Sequence, residues 1–278
     1  MMTNPNVPPG YEQPSGSKKN LGFTLVELLV VISIIGLLLS LLMPAISNAR
    51  SRGDQVSCLN NSRQFGVAWL MYCSDFGDSL PPNVDGFLGG FTNWVAGNMA
   101  NPTDAKDAAL LIDPGRSLLA SYIRNPRIFK CPADDSVYVR SVAMNCRLNP
   151  TRLLGEPRWV GGQGSAFRTF FRLSDIAKPA NIFVIIDESE STINDAYFAV
   201  DMSNTGNFYG VGTQQPFYLI DFPAHHHARS ATVCFADGHA VAHRWNHHET
   251  FSQRGPVRHV PGSQDARWLQ EHCTFLSE

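Results

Sequence analysis

The sequence of 278 residues has few charged side chains and almost no excess of either sign. It has 22 Lys and Arg against 24 Asp and Glu, a formal charge of −2 at pH 7. A protein that binds nucleic acid through its backbone would show a basic excess, so we expect no nucleic-acid partner. Apolar residues make up 44 % of the chain. That share is enough for a hydrophobic core, and it argues against a chain that is disordered throughout.

Motifs typical of several enzyme classes are also missing. The sequence contains no Gly-x-Ser-x-Gly turn and no Gly-rich phosphate loop with a following lysine, so neither a hydrolase of that type nor an ATPase is indicated. Its six cysteines include no Cys-x2-Cys pair, which argues against a zinc ribbon. We therefore predict a protein that is not an enzyme and has no cofactor.

One long hydrophobic run lies near the N-terminus. Residues 23–43 (FTLVELLVVISIIGLLLSLLM) contain a single ionisable side chain, Glu27. As a helix with a rise of about 1.5 Å per residue, this run is about 31 Å long, which matches the hydrocarbon core of a bilayer. We predict a transmembrane helix over residues 23–43. Lys18 and Lys19 precede it and favour a cytoplasmic N-terminus, with the rest of the chain on the far side.

The residues at the start of this run resemble the signature of type IV prepilins and type II secretion pseudopilins. Residues 18–22 (KKNLG) and 23–29 (FTLVELL) have the charge, glycine, phenylalanine and glutamate of that family at matching spacing. The resemblance implies that prepilin peptidase removes residues 1–22 by cutting after Gly22, and that it methylates the new N-terminal residue, Phe23. An ordinary secretory signal cut near residue 49 is the alternative, but the apolar run is longer than a signal peptide needs.

The same resemblance implies an assembly function and a location. Glu27 would pair with the N-terminal amine of a neighbouring subunit, and Pro44 would kink the helix. The implied partners are prepilin peptidase, other pilin or pseudopilin subunits, the inner-membrane assembly platform with its ATPase, and the lipid bilayer. The chain would be a single-pass inner-membrane protein with a periplasmic or otherwise extracytoplasmic head, and it would enter a type II secretion pseudopilus or a type IV pilus-like filament.

The helix should continue beyond Pro44, because proline kinks a helix without necessarily ending it. Apolar residues recur at steps of three to seven over residues 45–75 and predict one buried stripe. The residues of this stripe are Val56, Leu59, Gly66, Leu70 and Cys73. The resemblance implies a pilin helix over residues 23–75, with an apolar first half and an amphipathic second half.

Residues 76–278 predict a globular head of the α+β class built on an antiparallel sheet. Strand patterns occur at residues 136–144, 181–186, 196–200, 232–236 and 239–245. Asp237 and Gly238 lie between the last two, and an Asp-Gly pair in that position is a strong hairpin signal.

A second resemblance lies in the head. His227, nine further residues, then Asp237 and Gly238 form a His-x9-Asp-Gly motif that is similar to the C-terminal motif of a group of pilin-like proteins, the DUF1559 group. Supporting segments are residues 58–61 (CLNN), 129–134 (FKCPAD) and 143–145 (AMN). The function of that group is poorly defined, so this resemblance implies an architecture rather than a biochemical task.

The histidines raise the question of a metal site. We expect none, but His227, Asp237 and Asp187 are the best-placed trio if their strands are neighbours. The simpler interpretation is that Asp237 caps its turn and that His227 donates a hydrogen bond to it or to a nearby carbonyl. The alternative function that follows from the trio is a membrane-anchored extracytoplasmic protein that binds metal or catalyses a reaction with His227 and Asp237.

The cysteines leave their pairing open. Disulfides are permitted on an oxidising extracytoplasmic side. Cys58 and Cys73 cannot bridge on one helix, because fifteen residues span about 22 Å. Cys131–Cys146 and Cys58–Cys131 are the two pairings considered, and free buried thiols are the third possibility.

Overall fold

The computed structural model describes residues 24–84, 92–150, 167–202, 218–251, 258–259 and 263–275. The chain divides into two compact units, residues 1–48 and 49–278. A single long helix, α1 (Leu25–Asp75), begins in the first unit and ends in the second. A five-stranded sheet lies in the second unit. The predicted α+β class with a long N-terminal helix is confirmed.

In the first unit, α1 is an exposed apolar helix with a polar cap. The large apolar side chains from Leu25 to Met43 are each 44–78 % exposed. Thr24 precedes the helix, and its backbone N and Oγ1 donate hydrogen bonds of 2.8 and 2.7 Å to Glu27 Oε2. The Glu27 N–H in turn donates to Thr24 Oγ1 at 3.2 Å, which completes a capping box. Among the described helices, α1 is the one that is long and apolar enough to cross a membrane.

In the second unit, α1 becomes amphipathic. Its buried face repeats every three or four residues. The buried residues are Cys58, Ser62, Phe65, Gly66, Ala68, Trp69, Tyr72 and Cys73. The predicted stripe is right at Gly66 and Cys73, half-buried at Leu59 and Leu70, and wrong at Val56, which is 66 % exposed. Val56 precedes Cys58 by two residues, which places it on the opposite side of a helix with 3.6 residues per turn.

The remaining elements belong to the second unit. The strands are β1 (Val142–Asn145), β2 (Phe183–Asp187), β3 (Tyr197–Phe198), β4 (Tyr218–Leu219), β5 (Ser230–Phe235), β6 (Ala240–Arg244) and β7 (Arg258–His259), and the helices are α2 (His248–Phe251) and α3 (Gln264–Cys273). Short 3-10 helices occupy Asp104–Lys106, Ala108–Ile112, Leu118–Ser121, Pro126–Phe129, Leu173–Asp175 and Pro179–Asn181.

The five-stranded sheet is mixed, with the order β3-β1-β2-β5-β6. Neighbours are antiparallel except that β3 runs parallel to β1. The prediction of an antiparallel sheet is therefore wrong at this edge. The reason is a crossover: after β2 the chain passes over β1, and β3 then pairs with the edge of β1 that faces away from β2. Strands β4 and β7 form a separate antiparallel pair.

All five predicted strand segments contain a strand, but the first is shorter than predicted. Only the last residues of the segment 136–144 pair, within β1. Ahead of β1, the Lys130 ammonium donates hydrogen bonds of 2.5 and 2.7 Å to the carbonyls of Ser136 and Tyr138. Because a side chain satisfies these carbonyls, they need no partner strand. Residues 136–138 form a loop.

Both faces of the sheet are covered. One hydrophobic cluster joins Phe65 and Trp69 of α1 to Val184 of β2. A second joins Leu269 of α3 to Val233 of β5. All residues of β1, β2 and β5 are buried, as expected for strands packed on both sides. Helix α1 and helix α3 therefore hold the sheet between them.

The predicted Asp-Gly hairpin is confirmed and lies against α1. In the turn that joins β5 to β6, the Gly238 N–H donates to the Phe235 carbonyl at 2.9 Å, and Gly238 has a φ of +88°. This turn is close to α1 at Gly66. A Cβ on Gly66 would lie 2.8 Å from Cys234 Sγ and 3.0 Å from Gly238 Cα. Glycine at both positions allows the helix and the hairpin to approach each other.

We expect Gly66→Ala to destabilise the second unit. The added methyl must displace backbone at Gly238, and overpacking of this kind costs about 1–3 kcal/mol. Gly53→Ala is the matched control, because no atom beyond its chain neighbours and the backbone of its own helix lies within 4 Å of a Cβ there; it should stabilise the helix by about 0.5–1 kcal/mol. Urea unfolding followed by tryptophan fluorescence measures both effects. Equal stabilisation by the two alanines would contradict the close approach.

A half-buried histidine should make the second unit sensitive to acid. The His243 ring stacks on Trp268, with centroids 3.8 Å apart. Burial lowers the pKa of His243 to about 4, with His272 adding to the shift and Asp265 opposing it. Since the folded pKa lies below the unfolded value, stability is fully present above about pH 6.5 and is lost as the pH falls towards 4. We expect His243→Phe to keep the stacking and to lose less stability between pH 7 and pH 5, as measured by thermal unfolding. An unchanged pH dependence would show that His243 is not the responsible group.

Candidate functional site

The structure describes the predicted assembly residue but not the predicted processing residues. Gly22 and Phe23 lie outside the described residues. Glu27 lies in the first turn of α1, where Thr24 holds its carboxylate. Helix α1 continues through position 44, as predicted, and the kink at Pro44 stays a prediction.

Asp237 lies apart from the other two members of the predicted trio, His227 and Asp187. His227 lies just before β5 and Asp237 lies just after it. At about 3.4 Å per residue, the six residues of β5 separate them by about 20 Å. Asp237 Oδ1 instead contacts Nδ1 of His239 at 2.6 Å. Asp237 caps its turn as expected, because the His239 N–H donates a hydrogen bond of 3.1 Å to its Oδ1. The structure corrects the rest of both interpretations, because Asp237 neither shares a site with His227 nor accepts a hydrogen bond from it.

His227 is paired with a cysteine instead. Its Nε2 lies 3.1 Å from Cys131 Sγ, and each residue is 2 % exposed. Cys131 comes two residues after the end of the short helix Pro126–Phe129, which the Asn125 side chain caps by accepting from the Arg127 N–H. Ala228 and Arg229 adopt positive φ angles of 51° and 69°. They form the turn that places His227 beside Cys131.

Two further side chains complete the cluster. Cys58 on the buried face of α1 donates a hydrogen bond of 2.9 Å from its Sγ to Asp187 Oδ2, at the end of β2. The Sγ atoms of Cys58 and Cys131 and a ring nitrogen of His227 all lie within 4.8 Å of one another. We call Cys58, Cys131, His227 and Asp187 the thiol–histidine cluster. Four separate parts of the chain contribute to it.

Hydroxyl groups hold the carboxylate of this cluster. Thr232 Oγ1 donates to Asp187 Oδ2, and Ser141 Oγ donates to Oδ1 at 3.4 Å. Ser62 Oγ donates to Thr232 Oγ1 at 3.1 Å, and the Cys131 N–H donates to Ser141 Oγ at 2.8 Å. The network links α1, β2 and β5 through polar groups that are all buried.

The electrostatics of the cluster favour a thiolate at Cys131. Hydrogen bonds from Cys58 and His227, opposed by burial, lower the pKa of Cys131 to about 5. For His227, burial acts to lower the pKa, but the hydrogen bond and the charge of Cys131 outweigh it and the pKa is raised. The hydrogen bond to Cys131, with burial, raises the pKa of Cys58. Burial, with the charge of Cys131, raises the pKa of Asp187 to about 6.

The cysteines are arranged differently from the first predicted pairing. Cys146 lies beside Cys273 of α3, with the two Sγ atoms 3.8 Å apart, whereas Cys131 lies beside Cys58 and His227. The structure has no disulfide among the six cysteines, all of which are described and buried. The pairing of Cys131 with Cys146 is thus not formed, because Cys131 precedes β1 and Cys146 directly follows it, so the strand carries the two residues to different ends.

The sequence contained a signal for this cluster. Cys58 and Cys131 lie in the two segments that accompany the His-x9-Asp-Gly motif, residues 58–61 and 129–134. Their co-occurrence with His227 is consistent with a shared site, but no spacing rule joins residues from such distant parts of the chain. Two thiols, an imidazole and a carboxylate are a ligand set that suits zinc. A buried thiolate and imidazole that are each 2 % exposed offer a substrate no access.

Comparison with known proteins bears on the N-terminal part of the chain. Residues 17–43 match the prokaryotic N-terminal methylation motif. No curated protein and no solved structure matches the chain. The matched segment includes Gly22, Phe23 and Glu27, so the chain carries a prepilin-type N-terminus.

We expect the hydroxyl of Thr232 to stabilise the cluster. Thr232→Val keeps the shape of the side chain but removes one hydroxyl donor from the buried Asp187 carboxylate, which Cys58 and Ser141 still reach, and this loss costs about 1–3 kcal/mol. Thr232→Ser keeps the donor and is the matched control. Urea unfolding of both variants measures the difference. If the valine and serine variants had the same free energy of unfolding, the hydrogen bond from Thr232 to Asp187 would make no net contribution to stability.

Proposed function

We propose that the chain is a pilin-like structural subunit that prepilin peptidase processes and that then assembles through α1 into a type II secretion pseudopilus or a type IV pilus-like filament. The observation that carries the proposal is the match of residues 17–43 to the N-terminal methylation motif. In this proposal the enzyme cuts after Gly22 and methylates the amine of Phe23.

The first unit supports membrane anchoring before assembly. Its apolar side chains are exposed on every face of α1, which is stable in lipid or against other helices but not in water. We infer a single span over residues 23–43, with the N-terminus in the cytoplasm because of Lys18 and Lys19. The head would then lie on the extracytoplasmic side.

Glu27 supports the proposal that the helix ends up in an assembly with other subunits. An acid within the apolar part of a membrane helix costs about 2.5–3.5 kcal/mol unless it has a partner. Among the described residues, Thr24 supplies neutral donors to Glu27, which satisfy hydrogen bonds of the carboxylate but do not balance its charge. The free amine of Phe23 on a neighbouring subunit would balance it. This gives a bundle of apolar helices a fixed axial register.

The second unit supports a structural head rather than a catalytic one. Its adjacent thiol and imidazole, Cys131 and His227, are both buried. The exposed face of α1 in this unit carries Val56, Val67 and Met71, which are 50–66 % exposed. These side chains extend the apolar surface available for contacts between subunits. The further partners of the proposal are the assembly platform and its ATPase, which supplies the energy that this chain has no motif to supply.

Processing can be tested by replacing Gly22. We expect the mature protein to begin at Phe23 with a methylated amine when prepilin peptidase is co-expressed, and Gly22→Val to retain residues 1–22 because the peptidase requires a small residue there. Intact mass and N-terminal sequencing of the membrane-extracted protein measure this. Gly36→Val, a change of the same kind inside the apolar run, is the control for membrane insertion. An uncut chain in the presence of active peptidase would refute the proposal.

Assembly can be tested by removing the charge of Glu27 separately from its cap. We expect Glu27→Gln to be cleaved normally but to form at least about tenfold fewer filaments or cross-linked oligomers, because the amine of Phe23 then has no anion to pair with. Thr24→Val removes the capping hydroxyl but keeps the carboxylate, so it should still assemble. Cross-linking and electron microscopy of sheared material measure assembly. If Thr24→Val failed in the same way as Glu27→Gln, capping rather than charge would explain the function of Glu27.

A further inference from the structure

The thiol–histidine cluster brings metal-binding atoms to one point. Cys58 comes from α1, Cys131 follows the helix Pro126–Phe129, and His227 precedes β5. Their two Sγ atoms and a ring nitrogen lie within 4.8 Å of one another, and each residue is 2 % exposed. Residues from three elements that converge in the interior form a closed site, which is the form that structural zinc sites take.

The distances suit a single small ion. With Zn–S bonds of about 2.3 Å and Zn–N bonds of about 2.0–2.1 Å, the sulfur and nitrogen ligands of a tetrahedral site lie about 3.6 Å apart. Cys131 Sγ and His227 Nε2 are 3.1 Å apart, so a small outward movement of either side chain makes room for the ion.

Asp187 lies beside this group. Its Oδ2 is 2.9 Å from Cys58 Sγ, but the atoms that all lie within 4.8 Å of one another are those of Cys58, Cys131 and His227, so Asp187 becomes the fourth ligand by an inward movement of its carboxylate. Thr232 and Ser141 donate to its two oxygens, and hydrogen-bonded carboxylates of this kind are typical around metal ligands.

We propose that Cys58, Cys131 and His227 bind one zinc ion, with Asp187 beside them as the fourth ligand, and that the ion fastens the second part of α1 to the sheet. A disulfide between Cys58 and Cys131 is the competing arrangement, and the position of His227 favours the metal. A disulfide uses two sulfur atoms and gives no reason for a ring nitrogen of His227 to lie within 4.8 Å of both of them.

The metal content of the purified chain is the first test. The full chain, extracted in detergent without chelator, should hold about one zinc per chain by elemental analysis. We expect Cys58→Ser, Cys131→Ser and His227→Gln each to lower this ratio at least about tenfold. Cys73→Ser is the matched control, because Cys73 is a buried thiol on the same helix and lies outside the cluster. Zinc that is bound equally by all four variants would be an adventitious ion only and would overturn the proposal.

Cobalt substitution gives a second readout that does not depend on how the variants fold. The metal-stripped wild-type chain, refilled with Co²⁺, should show the sulfur-to-metal charge-transfer band and the intense visible bands of a tetrahedral thiolate site. Thiol titration of the untreated chain under denaturing conditions decides between the arrangements. A missing pair of thiols with a Cys58–Cys131 cross-link in the peptide map, or six reactive thiols with no metal, would overturn the proposal. Zinc content is measured independently of N-terminal processing, so this result and the proposed function can fail separately.

Discussion

The packing of residues 58–73 of α1 against the sheet is the interaction on which the second unit depends. Phe65 and Trp69 fill the hydrophobic cluster on one face of the sheet, and Gly66 lets the helix backbone approach the β5–β6 turn at Gly238. The same face carries Cys58 into the thiol–histidine cluster. A single helix face therefore closes the core, positions the hairpin and supplies a ligand.

The two parts of α1 have different surfaces because they serve different surroundings. Up to Met43 the helix exposes apolar side chains on every face, and such a surface is stable only in lipid or among similar helices. From Cys58 onward one face is buried by the chain's own sheet, which leaves the opposite face, including Val67 and Met71, for other contacts. Within the part of the chain that the structure describes, the single acid of the apolar part, Glu27, accepts its side-chain hydrogen bonds from the neutral donors of Thr24. An unbalanced charge at this place is the physical reason to expect a cationic partner on another chain.

The two ends of the His-x9-Asp-Gly motif have separate structural roles. Asp237 and Gly238 make the turn of the β5–β6 hairpin, and Gly238 also allows the approach of α1. His227, at the far end of β5, contacts Cys131. The fixed spacing of nine residues corresponds to the length of β5 with its flanking turns. The spacing of the motif therefore reflects the length of β5, and the histidine and the aspartate of the motif do not contact each other.

Patterns between residues close in sequence determined much of the secondary structure of this protein. The apolar helix, the Asp-Gly hairpin, the α+β class and the approximate positions of all five strands followed from hydrophobic periodicity and turn chemistry, because these act between residues close in sequence. Tertiary structure alone decided the parallel pairing of β3 with β1, the contact of Cys146 with Cys273, and the cluster of Cys58, Cys131, His227 and Asp187. Each of these joins residues that are distant in sequence, and only the crossing of the chain over the sheet determines which of them meet.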